Sequence, residues 1–131
     1  MTINLNFIGL VVADLASSLR FYRLLGIEIP EESDAAAHVE AVLPSGVRIG
    51  WDTIDTIRSF DPGWTAPTGS SRMALAFECG SPAEVDSTFD ALTDAGYQGH
   101  VSPWDAIWGQ RYATVHDPDG NSIDLYAALP E

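Results

Sequence analysis

At 131 residues, 46 % of them hydrophobic, the chain is long enough for one sizeable core and too short for several large domains. Nineteen acidic residues against six basic ones give a net charge of −13, which excludes phosphate-rich partners such as nucleic acids and favours cationic or polarised small molecules. No stretch reaches the roughly 18 apolar residues of a membrane span, no basic leader opens the chain, and Cys79 as the single cysteine leaves neither an internal disulfide nor a thiolate metal cluster, so a cytoplasmic protein without membrane or nucleic-acid partners is expected.

In chain order, NFIGLVV (6–12) reads as a strand. Asp14 then caps a helix whose apolar positions Leu15, Leu19, Tyr22 and Leu25 recur at helical spacing, and Gly26 ends it. Extended stretches follow near 27–30, 37–43 and 47–52, the last two separated by the turn Pro44-Ser45-Gly46. A linker over 54–71, rich in proline and glycine and carrying Trp64, is too long to be an idle loop. MALAFEC (73–79) repeats the opening strand. Ser81-Pro82-Ala83-Glu84 is a capping box with proline at the first helical position, and Val85, Phe89 and Leu92 form the stripe of a helix that Gly96 ends. Three more strands are expected near 98–102, 110–116 and 121–127, the last pair joined by Asp117-Pro118-Asp119-Gly120-Asn121.

The order is therefore βαβββ twice, with Phe7 aligning on Ala74 and Gly26 on Gly96. One half buries little core alone. The expected fold is α+β: a single domain over 1–131 in which module 1 (about 1–53) and module 2 (about 72–131) form one curved mixed sheet, helices outside and a concave face within. The segment SPWDAIWGQRY (102–112) stands out in that frame. Its tryptophans, Trp104 and Trp108, are bracketed by proline and glycine, which marks a loop and not a helix core.

VADLASSLRFYRLLGIEI (12–29) and HDPDGNSIDLY (116–126) resemble the vicinal oxygen chelate superfamily of glyoxalases, extradiol dioxygenases and bleomycin-resistance proteins. The resemblance implies a metal held by His and Glu on four strands. The matching positions here are Phe7, Gly50, Ala74 and Asp124, and only the last carries a lone pair to offer, so a metal-free member without cofactor is expected. His38, His100 and His116 share no short ligand spacing that would rebuild such a site. Within the superfamily, GIEIPEESDAAAHVEAVLPSGVRIGWDT (26–53), SFDPGWTAPTG (59–69) and PWDAIWGQRYA (103–113) are similar to the mitomycin-binding resistance proteins of antibiotic producers. That likeness implies a homodimer that sequesters a planar antibiotic, stacked between His38 and Trp108.

Strand alternation supports this assignment. In HVEAVL (38–43), Val39, Ala41 and Leu43 share the helix side, which sends His38 and Glu40 to the concave face. In RYATVH (111–116), Tyr112 and Thr114 face inward. If Gly50 faces inward, so does Asp52, while Trp51 packs beneath the helix; Phe7 and Asp124 face inward by the same parity. Gly50 and Ala74 leave room where the metal would stand. The expected ligand contacts are His38, Trp108, Glu40, Asp52, Tyr112, Trp104, Phe7 and Asp124, with Trp104 either buttressing Trp108 or meeting the second subunit. Arg111 is expected to pair with an acidic neighbour, with orienting a ligand carbonyl as the alternative. Two enzyme readings compete: a metal-dependent lyase or dioxygenase, and a metal-free enzyme using Glu40, Asp52 or Asp124 as acid or base on a small aromatic or quinone substrate. No Gly-rich phosphate loop marks a cofactor for the second.

Overall fold

The computed structural model describes residues 2–131 as two compact units, the first reaching to Thr68 and the second running from Gly69 to Glu131. In the first, strand β1 (Phe7–Val12) leads into helix α1 (Leu15–Leu24), and strands β2 (His38–Val42) and β3 (Arg48–Thr53) follow. The sheet order is β1-β3-β2, with β1 parallel and β2 antiparallel to the central β3. Asp14 caps α1 by accepting from the Ser17 N–H at 3.1 Å, and Gly26 leaves the helix at φ +91. The helix lays Leu15, Leu19, Phe21 and Tyr22 into a core shared with Val12, Val39, Ile49 and Trp51. Trp51 is fully buried edge-on against Tyr22, with ring centroids 5.4 Å apart, as strand parity predicts.

The second unit holds strand β4 (Ala74–Glu78), helix α3 (Pro82–Asp94), and strands β5 (Gln98–Ala106), β6 (Gln110–His116) and β7 (Ser122–Ala128), in the order β4-β7-β6-β5. Ser81 caps α3 by accepting from the Glu84 N–H at 3.1 Å. Glu84 in turn accepts from Gly80, one residue ahead of the cap. The predicted stripe of Val85, Phe89 and Leu92 is the face that α3 buries, over Ala113, Val115, Ile123 and Leu125. The β6–β7 turn is built around the buried Asp117, whose carboxylate accepts from the Asp119 and Asn121 N–H groups and from the Asn121 side chain.

Three expectations need correction. The described residues contain seven strands in two sheets, of three and four strands, and not eight in one curved sheet. The missing strand is the stretch near 27–30. Pro30 cannot donate to a ladder, and the Arg23 side chain takes the carbonyls that a neighbouring strand would use. Its Nε donates to Ile29 O at 2.9 Å and its Nη2 to Pro30 O and to Asp34 Oδ1, each at 2.8 Å. A short 3-10 turn (Glu31–Ala35) carries the chain on to β2. The linker, too, is more than loop. Thr53 caps the short helix α2 (Ile54–Arg58), and Arg58 donates to the Trp64 carbonyl at 3.1 Å while lying over its ring. Finally, Trp104 sits in β5; only Ile107, Trp108 and Gly109 form the turn, with Gly109 at φ +90.

Candidate functional site

Each sheet has one face covered by its helix and one left open, and the predicted site residues lie on the open faces. In the first unit, the register pairs His38 with Asp52 and Glu40 with Gly50. Those side chains share one side of the sheet, while Val39 and Ala41 are buried on the other. His38 Nδ1 stands 2.5 Å from Asp52 Oδ1 and its Nε2 stands 2.7 Å from Glu40 Oε2. The other Glu40 oxygen accepts from Arg48 Nη1 at 2.8 Å. The row thus runs from Asp52 through His38 and Glu40 to Arg48, each side chain in contact with the next. Hydrogen bonding to Glu40 and then to Asp52 raises the His38 pKa above the ordinary histidine value. Hydrogen bonding to His38 lowers that of Glu40.

Arg48 was missed from the sequence, although it lies two and four residues before Gly50 and Asp52 and so shares their face. Its guanidinium carbon lies 5.2 Å from the centre of the Phe7 ring. That ring also overturns the expected vacancy at Gly50. Phe7 lies across the glycine so closely that a Cβ there would collide with Phe7 Cζ. The space is filled by an aromatic side chain.

In the second unit, Tyr112 pairs with Tyr126 and Thr114 with Asp124. The Tyr112 hydroxyl donates to Asp124 Oδ2 at 2.6 Å and the Thr114 hydroxyl to Oδ1 at 2.8 Å. Burial, followed by the Asp124 contact, pushes the Tyr112 phenol up to about 12, so it stays protonated and remains a donor. Aromatic rings continue outward from it. Trp108 meets Tyr112 edge-on at 5.6 Å, Trp104 meets Trp108 at 5.3 Å, and Tyr126, not singled out from the sequence, lies 6.3 Å from Tyr112. Trp108 remains 55 % exposed and Ile107 beside it 97 %. The Trp108 indole N–H is tied to Gln110 Oε1 at 2.9 Å, which sets the ring's orientation at the tip of the hairpin.

His100 and His116 stack with centroids 4.5 Å apart. No spacing rule could have paired them, because β5 shifts register against β6 between Gly99 and Val101. Arg111 pairs with Asp86 and Asp105, as expected of it, and is thereby engaged.

The donors for a metal ion do not fit. Of the four positions named by the resemblance, Phe7, Gly50 and Ala74 bring no lone pair, and both oxygens of Asp124 accept hydroxyl protons. Among the described residues, no group of three His, Cys, Asp or Glu side chains is arranged to hold a metal ion. The His38, Glu40 and Asp52 donors are turned on one another.

Comparison with known proteins gives the same fold. A glyoxalase/bleomycin resistance protein/dioxygenase family enzyme from Burkholderia phytofirmans superposes with a TM-score of 0.82 at 16 % identity, over 97 % of this chain and all of the other. A glyoxalase/bleomycin resistance protein/dioxygenase from Nocardioides is 25 % identical, over 98 % of this chain and 85 % of the other, with a TM-score of 0.75. A protein from Agrobacterium tumefaciens solved by NMR is 26 % identical, over 98 % and 100 %, with a TM-score of 0.74. No curated protein matches the chain. The family model for glyoxalases, bleomycin-resistance proteins and dioxygenases aligns with residues 4–125, and the chain belongs to that superfamily.

Proposed function

We propose that this chain is a binding member of its superfamily, which as a cytoplasmic homodimer sequesters a planar aromatic antibiotic, with a mitomycin-like quinone as the leading candidate. One observation carries the reading: three of the four metal-donor positions hold side chains without lone pairs and the fourth, Asp124, is engaged by two hydroxyls, while flat rings stand exposed on both open faces. His38 presents a ring whose edges are fixed by Asp52 and Glu40, and Trp108 presents a ring whose N–H is fixed by Gln110. Fixed rings lose little freedom when a ligand stacks on them. Stacking adds about 0.5–1.5 kcal/mol per ring pair beyond area burial. Covering about 200 Å² of apolar ligand surface adds roughly 5 kcal/mol, against the roughly 8 kcal/mol of micromolar affinity. Two rings and a few hydrogen bonds reach that range, and one exposed ring does not.

The test is a tryptophan-fluorescence titration with mitomycin C in the presence of chelator. Saturable quenching at micromolar drug or below is expected, weakened at least tenfold in Trp108→Ala and in His38→Ala taken separately, with the drug recovered unchanged. No saturation in the wild type removes mitomycin as the ligand, and chemically altered drug replaces sequestration by catalysis. The alternative, a metal-free enzyme, draws on the same row: Glu40 is held ionised beside His38. Turnover of a quinone or small aromatic substrate, abolished by Glu40→Gln, would favour it.

A further inference from the structure

The state of His38 narrows the class of ligand. Carboxylates only accept hydrogen bonds, and His38 points both ring nitrogens at carboxylate oxygens, Nδ1 at Asp52 and Nε2 at Glu40. Both contacts are satisfied at once only when both nitrogens carry protons. A neutral ring would leave one nitrogen lone pair facing a carboxylate lone pair. The groups that face the ring are Glu40 on its own strand and Asp52 on the paired strand β3, and Arg48, also on β3, faces Glu40 from the far side.

With both edges taken, the side chain is still 42 % exposed. It therefore has no hydrogen bond left to give, and what it offers a ligand is its carbon atoms and ring faces. A planar cation binds the negative π-face of an electron-rich ring and disfavours the depleted face of an electron-poor one. The other cation of the row already behaves this way, since Arg48 lies over Phe7.

We infer that His38 meets its ligand face-on as an imidazolium, so that this part of the site takes flat, neutral, electron-rich aromatic rings and loses its grip on them as the solution turns alkaline. The inference rests on the aromatic-ligand reading above and adds the electronic class of ring and the pH dependence; at this face it ranks a related electron-rich aromatic antibiotic ahead of a mitomycin-like quinone, whose carbonyls deplete its ring. The sign follows from the cation being the binding form. The two carboxylates favour the charged ring and hold its pKa above the ordinary histidine value, and affinity falls as pH passes that raised value. Glu40→Gln or Asp52→Asn removes one carboxylate and moves the fall to lower pH.

The experiment uses two neutral probes of one shape, 2-methoxynaphthalene and 2-nitronaphthalene, neither of which titrates between pH 5 and 9. Long-range proton–nitrogen NMR of the histidine side chains reads the protonation of His38 directly and follows each titration. The expected result is two protonated nitrogens at pH 7. The methoxy probe should bind roughly two- to thirty-fold more tightly than the nitro probe at pH 6. That advantage should disappear at alkaline pH and be absent at every pH in His38→Phe, which keeps a flat ring without charge. A neutral His38 ring at pH 7 overturns the inference while leaving aromatic binding in place. So do saturable titrations that show no preference or no pH dependence. If neither probe nor mitomycin C saturates, the aromatic-ligand reading falls and this inference falls with it.

Discussion

At Gly50 a single hydrogen atom decides what occupies the open face of the first sheet. The Phe7 ring lies where a β-carbon would stand. Gly50→Ala should therefore destabilise the protein by about 1–3 kcal/mol through overpacking. Adding Phe7→Leu should restore most of that loss, because the clash is with the end of one ring. A double-mutant cycle of urea midpoints checks the coupling, and additive losses would place the strain in the backbone instead. The charged row makes a second, smaller contribution. That of the His38 imidazolium is complete below the ordinary histidine pKa and is lost as pH rises through the raised value. That of Glu40 is complete above the ordinary carboxylate value and is lost as pH falls through the lowered one. The stability difference between wild type and His38→Gln should form a plateau between those limits and shrink on either side. Because these groups are exposed, solvent screening keeps the difference small.

Arg23 acts at the scale of an element. One guanidinium holds two carbonyls and Asp34, and so keeps residues 27–35 in place without a strand partner. Arg23→Ala should cost about 1–3 kcal/mol, since the carbonyls lose a charged donor. Amide exchange should accelerate across 27–36 more than elsewhere. Arg23→Lys should not restore protection, because an ammonium cannot reproduce the fork. At the head of α3, Ser81→Ala should cost about 1 kcal/mol by thermal or urea unfolding, the usual loss for an N-cap hydroxyl. Its effect on exchange should be confined to the first turn.

At the scale of the whole chain, net charge dominates. With −13 at neutral pH, self-repulsion opposes the compact state and any association of subunits. Added sodium chloride should raise the melting temperature, most steeply below about 0.15 M where the Debye length exceeds ~8 Å. A melting temperature that falls with salt would mean that the ion pairs outweigh the net repulsion. We propose that the two units form one domain, for which calorimetry should show one unfolding transition; two transitions, assigned to 2–68 and 69–131, would overturn this. Sedimentation equilibrium tests the proposed homodimer.

The sequence by itself determined the local terms. Caps, turn residues and apolar spacing located α1, α3 and the seven strands of the described residues, because those signals act within a few residues, although β5 runs on to Ala106 past the expected end near 102 and the strand expected near 27–30 does not form. Period-two alternation sorted His38, Glu40, Asp52, Tyr112 and Thr114 from the buried residues between them, because a strand has only two faces. Tertiary structure alone decided the rest. It took the carbonyls of Ile29 and Pro30 for Arg23 and not for a strand neighbour. It swung Phe7 over Gly50, stacked His100 on His116 past a shift in register, and spent both oxygens of Asp124 on hydroxyls. Each of these outcomes depends on where a side chain from a distant segment ends. Local spacing carries no record of that, because long-range contacts are set by packing and by competition for hydrogen-bond partners.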